Sequence, residues 1–506
     1  MGSVMHWNRS HGSYSSVIVL WMLVIVIGTV DIEARGDTSR WSISNRKLNS
    51  VDGFNAGKRL NSYGGRRAAV SDGEKEREDN SNYVSADEGN DKNVQDLENA
   101  FGNITWKDVD ASWKAYSQYN NTRGQQRERV TPLSWVVSRY LDNEELHVHM
   151  LDFVNRCGDI SRIVQIGSSV EGRPIEALEI SNTLSQNLSD GKAHVKMIGG
   201  IHGDEVVGRI ISMGMAEWIC ENYKKDDLAK SIVRKLHLWI LPSMNPDGFE
   251  IKSRHNSNGK DLNRDFPDRF DQGGMSSSME GRQPETKSVM NWSMKYPFVS
   301  SLVFHGGALV VSYPFDGTAD GSSRYAATAD DLTFRYLARE YAKSHGLLNV
   351  YRQRRFPGGI TNGADWYSIY GSMGDWNYLE REGFELTVEV SNEKWPSEDE
   401  FPGYFDQNKD AMLAFIKASA LQGFTGKVFT KDKNGKKIPV QDAKISIKGI
   451  DSSVTTRSGG RFNRPLFPGS YTAVIEKPGY STVIQNIKIP KQGNRSIAMN
   501  IELQPK

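Results

Sequence analysis

His194–Tyr223 reads HVKMIGGIHGDEVVGRIISMGMAEWICENY, and its three parts decide the fold. HVKMI is a short apolar run with the length of a buried strand. GGIHGDE is a glycine-rich loop carrying one His and two carboxylates. VVGRIISMGMAEWICENY is long and apolar enough for a core helix. The same alternation extends in both directions. Upstream, IVQIGSSVEGRPIEALEIS predicts two strands around a glycine turn, and Trp135, Tyr140, Leu141, Leu146 and Leu151 fall at helical spacing over Ser134–Phe153. Downstream, LHLWILPSMNPDG, SLVFHGGALVVSYPFD and FELTVEVS predict further buried strands. Strands interleaved with helices give an α/β domain with a mixed sheet flanked by helices, expected over 130–422.

The texture changes near 423. GKVFT, AKISIKGI, GRFNRPLFPGSYTAVIEK and QNIKIP are short strands separated by Gly, Asn and Pro turns, which predicts a small all-β sandwich over 423–506. At the other end, Val17–Val30 is 14 residues without charge, following Arg9. A full span needs about 20 residues, so 1–30 reads as a secretory signal peptide or an uncleaved signal anchor. Residues 31–129 are rich in charge, Asn, Ser and Gly without apolar periodicity, the pattern of a disordered linker or propeptide. Sequons at Asn103, Asn120, Asn187, Asn291 and Asn494 suit a glycoprotein of the secretory pathway.

Composition excludes several classes. Lys+Arg is 63 and Asp+Glu is 62 in 506 residues, so no bulk charge favours nucleic acid or an anionic membrane. A membrane contact would come only from the N-terminal segment. Cys157 and Cys220 are too few for a disulfide scaffold or a four-cysteine zinc site. One disulfide and two buried thiols both fit.

H-G-D-E places His202 and Glu205 at the end of a predicted strand. His and carboxylate ligands suit Zn²⁺, and a catalytic zinc keeps three protein ligands and one open position. Taken alone, H-x-x-E also fits an exposed His at a helix start. The glycine spacing matches neither G-x-G-x-x-G nor the P-loop. His305 closes an apolar run ahead of two glycines and is the candidate third ligand. His194 and His237 fall inside strand-like segments and read as structural. Between the ligands, NPDGFEIKSRHNSNGKDLNRDFPDRF is a long irregular segment, and such loops are usually functional. Its Arg254 and Arg264 are candidates to hold an anion, or are surface arginines on a solvated turn.

HGDE, NPDG, DLNRDFPD, HGGALVVSYPFD, NGADWY and GDWNYL…ELTVEVS, in that order, resemble the zinc carboxypeptidases. More narrowly they resemble the regulatory branch of carboxypeptidases D, E, M and N. The resemblance covers about 130–422 and continues into 423–506, which looks like that branch's transthyretin-like β domain. It implies one Zn²⁺ per catalytic domain, held by His202, Glu205 and His305. It also implies that Arg254 polarises the scissile carbonyl and that Asn263 and Arg264 bind the terminal carboxylate. Tyr367 would close over the substrate, Glu389 would serve as general base, and Asp316 would sit in the pocket for the last side chain. The implied activity is removal of C-terminal Lys or Arg from peptides or proproteins, by a monomer, in the secretory pathway or outside the cell. Two departures stand out: Gly374 where the branch usually has Gln, and Asp265 where DLNRN is more usual. A catalytically silent binding protein on the same fold and an adhesion protein built on the β-sandwich are the competing readings. Neither explains why every matched catalytic position is filled.

Overall fold

The computed structural model describes residues 131–184, 190–271, 278–348, 355–491 and 496–506, with the short antiparallel pair Asp31–Glu33 and Ser42–Ser44. The signal or anchor segment, nearly all of the linker and the sequons at Asn103, Asn120, Asn187 and Asn494 lie outside the described residues. Asn291 is exposed on the helix Pro284–Lys295. Among the described residues, no helix is long and apolar enough to cross a membrane.

Eight strands form one mixed sheet: β1 (Ser161–Ser168), β2 (Pro174–Ile180), β3 (Ala193–Ile198), β4 (Leu236–Leu241), β5 (Phe298–His305), β6 (Ala308–Tyr313), β7 (Ile360–Asn362) and β8 (Phe384–Ser391). Their order is β1-β2-β4-β3-β5-β8-β6-β7. The inner run β4-β3-β5-β8 is parallel. Strands inside such a run are covered on both faces, which is why they read as nearly continuous apolar sequence. On one face, Val195, Met197, Leu238, Ile240, Leu302 and Phe304 pack under the helices Asn143–Cys157, Val207–Asn222 and Phe401–Ile416. On the other, Ile198, Trp239, Leu241 and Val303 meet Val289, Met290, Trp292 and Trp376 from the helices Pro284–Lys295 and Met373–Arg381.

The helix expected over Ser134–Phe153 is two helices, Pro132–Val136 and Asn143–Cys157. Asp142 caps the second through Glu145 N, and Glu145 returns a carboxylate to Asp142 N, a capping box that starts a new helix. Tyr140, in the break, stacks on Trp395 and donates its hydroxyl to Pro396 O. Leu151 therefore faces solvent, while Met150 and Phe153 are buried. The cysteines are joined: Cys157 ends one helix and bonds to Cys220 in the helix Val207–Asn222, 63 residues along the chain. A covalent link over that distance restricts the unfolded chain.

From Phe424 the described chain is all β apart from a single turn of 3₁₀ helix at Ser458–Gly460. Strands Ile450–Thr455, Lys444–Ile447, Gly469–Glu476 and Val483–Ile489 form one antiparallel sheet. Phe424–Lys431 organises the other, pairing with Lys437–Pro439, Arg461–Arg464 and Ile497–Glu502. Phe424, Val428 and Ile501 from one sheet meet Ile445, Ile475 and Ile487 from the other, so the two share one core. A buried ion pair ties this sandwich to the α/β domain: Arg464 Nη2 lies 2.7 Å from Asp330 Oδ1. Tyr378 and Ser452 donate to the other oxygen of Asp330.

Candidate metal centre and substrate cleft

Parallel strands β3, β5 and β8 all end at one edge of the sheet, where α/β proteins build their sites. The HGDE loop leaves β3 there, and β5 ends on His305. In β8, Glu389 stands beside His305 in register. The loop can lie this low because Gly203 has no side chain: a Cβ would fall 2.0 Å from the backbone carbon of Gly248. HGDE and NPDG are thus packed backbone to backbone, which explains their joint occurrence in the sequence.

His202, Glu205 and His305 converge and are buried. His202 Nδ1 and His305 Nδ1 are 3.2 Å apart, and each is 2.9 Å from Glu205 Oε2. Ligand atoms placed about 2.0–2.2 Å from one zinc in a tetrahedral array stand roughly 3.3–3.5 Å from each other. Three lone-pair donors this close, with two imidazole nitrogens facing one another, fit a shared cation. The other nitrogen of His202 is 3.0 Å from Asp261 Oδ1, the kind of carboxylate contact that fixes a ligand's tautomer. Burial alone would raise the Asp261 carboxyl, but the His202 hydrogen bond and the charges of Arg254 and Arg264 hold it below the usual range.

His202, Glu205, Arg254, Asn263, Arg264, His305, Asp316, Tyr367 and Glu389 all line one cleft of about 220 Å³. Arg254 donates from Nε to Asp261 at 2.9 Å and turns Nη1 to within 3.3 Å of Glu205 Oε1. Asn263 Oδ1 accepts from Met373 N at 3.1 Å, and Arg264 Nη1 donates to Asn263 O at 3.0 Å. Tyr367 is exposed at the mouth, its ring edge-on to Trp366. Glu389 is buried, and its Oε2 has no hydrogen-bond partner among the described residues. Burial and the neighbouring Glu205 carboxylate push its carboxyl well up, against the opposing pull of Arg254 and Lys394.

Asp316 brings a carboxylate to the cleft lining. Its backbone N donates to both oxygens of Asp375, at 3.0 and 3.2 Å. A Cβ on Gly363 would fall 1.9 Å from Asp316 Oδ1, so the glycine of NGADWY makes room for that carboxylate. Burial raises the Asp316 carboxyl, partly offset by Ser372, Arg264 and Arg269. The cleft lining thus carries cations, Arg254, Arg264 and Lys394, together with the buried carboxylate of Asp316.

Two residues were not read from the sequence as part of the site. Asp261, the first residue of DLNR, braces both His202 and Arg254. Lys394 places Nζ 3.1 Å from Glu205 Oε1 and 3.2 Å from Asp204 Oδ2. Asp265 faces away from substrate: its Oδ2 accepts from Gln283 N at 2.7 Å, ahead of the helix Pro284–Lys295. His194 and His237 are buried and stacked on each other, and burial takes His194 down to about 3, so it stays neutral.

A buried two-histidine, one-glutamate cluster at the strand ends of an α/β sheet, flanked by a carboxylate whose Oε2 has no partner among the described residues, suits a metal-dependent hydrolase. Comparison with known proteins narrows the class. Residues 146–411 match the zinc carboxypeptidase family, and 424–504 match the carboxypeptidase regulatory-like domain. Carboxypeptidase SOL1 of Arabidopsis thaliana is 44% identical over 358 residues, covering 70% of this chain and 71% of its own length. Carboxypeptidase D of Homo sapiens is 37% identical over 376 residues, 71% of this chain but 26% of that larger protein. Carboxypeptidase E of Caenorhabditis elegans is 34% identical over 420 residues, 72% of this chain and 87% of its own. The chain belongs to the zinc carboxypeptidase family and is a metallocarboxypeptidase whose cofactor is one zinc ion.

Proposed function

We propose that this carboxypeptidase removes C-terminal Lys or Arg from peptides or proproteins in the secretory pathway or outside the cell. The observation that carries the reading is that one cleft is lined by two arginines and a buried aspartate together with the His-Glu-His cluster. A C-terminal basic residue bears both complementary charges.

His202, Glu205 and His305 hold the zinc, which supplies Lewis-acid polarisation of a carbonyl and acidifies water. Glu389 takes the proton of the attacking water and passes it to the leaving amine. Arg254 faces the oxyanion as it develops. Arg264 and Asn263 bind the free carboxylate, so an internal peptide bond would leave a half-buried guanidinium unmatched. Tyr367 covers the bound end of the peptide. The Cys157–Cys220 bridge and the N-terminal apolar segment support the oxidising compartment. The sandwich braces the catalytic domain, and the chain acts as a monomer.

The test is incubation with a peptide ending in Arg, followed by mass spectrometry, with and without a zinc chelator. We expect loss of the last residue only, abolished by chelation and restored by Zn²⁺. Zinc-loaded protein that removes no C-terminal residue contradicts the reading.

A pH signature follows from Asp316. Its attraction for a cation needs the ionised carboxylate, and its proton affinity is raised. Acidification therefore neutralises it above the ordinary aspartate value of about 3.9. The ratio of kcat/KM for an Arg-ending over a Leu-ending peptide should fall on going from about pH 7 to about pH 4.5. Taking the ratio cancels the titration of Glu389. A constant ratio would remove Asp316 from the recognition of charge.

A further inference from the structure

FELTVEVS alternates, and β8 sends its two sets of side chains to opposite faces. Leu386, Val388 and Val390 enter the larger apolar core. Glu385, Thr387 and Glu389 share the other face, and the last two already line the cleft. Glu385 is one step deeper and buried. Its Oε2 accepts from Ser301 Oγ and from Asn377 Nδ2 at 2.8 Å. The buried ammonium of Lys196 bonds to Ser293 Oγ at 2.7 Å and Asn377 Oδ1 at 3.1 Å, and its charge also acts on Glu385.

Gly374 stands between this carboxylate and Asp316. A Cβ there would lie 3.6 Å from Asp316 Oδ2 and 3.7 Å from Glu385 Oε1, in ordinary contact and without a clash. A Cβ would thus fit between the two carboxylates, beside Pro314. What remains is a gap bordered by two carboxylate oxygens of different residues.

We propose that Gly374 extends the pocket for the substrate's last side chain so that Glu385 joins Asp316 as a second carboxylate for it, favouring Arg over Lys. The proposal rests on the basic-residue reading above. An ammonium is a compact charge that one carboxylate satisfies. A guanidinium is a planar fork of five donors, able to address Asp316 Oδ2 and Glu385 Oε1 from its two edges. Burial raises both carboxyls, against the pull of Arg264 and Arg269 on Asp316 and of Lys196 on Glu385.

The experiment measures kcat/KM for matched peptides ending in Arg, Lys and Leu with the wild-type chain, G374Q, G374A and E385Q, each first shown to melt cooperatively with bound zinc. The wild-type protein should favour Arg over Lys by about tenfold or more, the scale expected of one added charge-assisted pair. G374Q, which fills the gap, and E385Q, which removes the charge, should each bring that ratio down at least about fivefold, mainly through KM. G374A keeps the test open should E385Q fail to fold, and should leave the ratio between those of the wild type and G374Q. An Arg:Lys ratio that stays within about twofold of wild type in both Gly374 variants overturns the proposal while basic preference stands. A wild-type protein that prefers Leu, or removes neither basic residue, overturns the basic-residue reading and this proposal together.

Discussion

Glu389→Gln is expected to lower kcat by about 10³-fold or more, the upper part of the range for losing a positioned general base. The variant should keep its fold and its zinc. The amide nearly matches the carboxylate in shape, and among the described residues Oε2 has no partner to lose. The metal cluster is drawn from His202, Glu205 and His305, and Glu389 is not among them. What the amide cannot do is take a proton. Zinc stoichiometry by mass spectrometry, the melting temperature and kcat on an Arg-ending peptide together make the test. A zinc-loaded variant with more than about a tenth of wild-type kcat would assign the base to another group. Lys394 is not that group: its ammonium is held beside Glu205 and Asp204, and although burial lowers its proton affinity, the two carboxylates raise it overall.

The parts of the site that could be read in the sequence are those whose reason is local. HGDE and FELTVEVS combine a strand with ionisable residues at its end or on one of its faces, and strand alternation is visible in sequence. What could not be read depends on distant partners. The helix break at 137–142 follows from Tyr140 meeting Pro396, 256 residues away, as well as from the Asp142 cap. Lys394 is one charge in a loop until folding sets it against Glu205. Asp265 directly follows the Asn263–Arg264 pair and has no role legible in the sequence, yet it serves the start of a neighbouring helix. The spacing of Cys157 and Cys220 carries no signal for a bridge between two helices that pack side by side. Gly374 reads as a lost contact, and only the positions of Asp316 and Glu385 give the resulting space a chemistry.

Asp316→Ala should cut kcat/KM for Arg- and Lys-ending peptides about 10²–10³-fold, so that the basic-to-apolar ratio collapses. The size comes from the roughly 2–5 kcal/mol lost when one member of a buried charge pair is removed. Several contacts make this carboxylate hard to replace. Asp375 holds its backbone N–H, Gly363 leaves room for Oδ1, and Arg264 and Arg269 favour its ionised form. Asp375 cannot take over, because burial and then the neighbouring Asp316 push its carboxyl up strongly, and both of its oxygens already receive the Asp316 N–H. Glu385 lies deeper, so a shorter Lys ammonium should lose more than an Arg guanidinium when Asp316 is gone. The check is a panel of peptides differing only in the last residue, assayed with wild type, D316A and the near-isosteric D316N. D316N separates charge from shape, and it should lose basic preference as D316A does. If D316N keeps the wild-type preference, the pocket recognises the length of the side chain and the cation is read elsewhere.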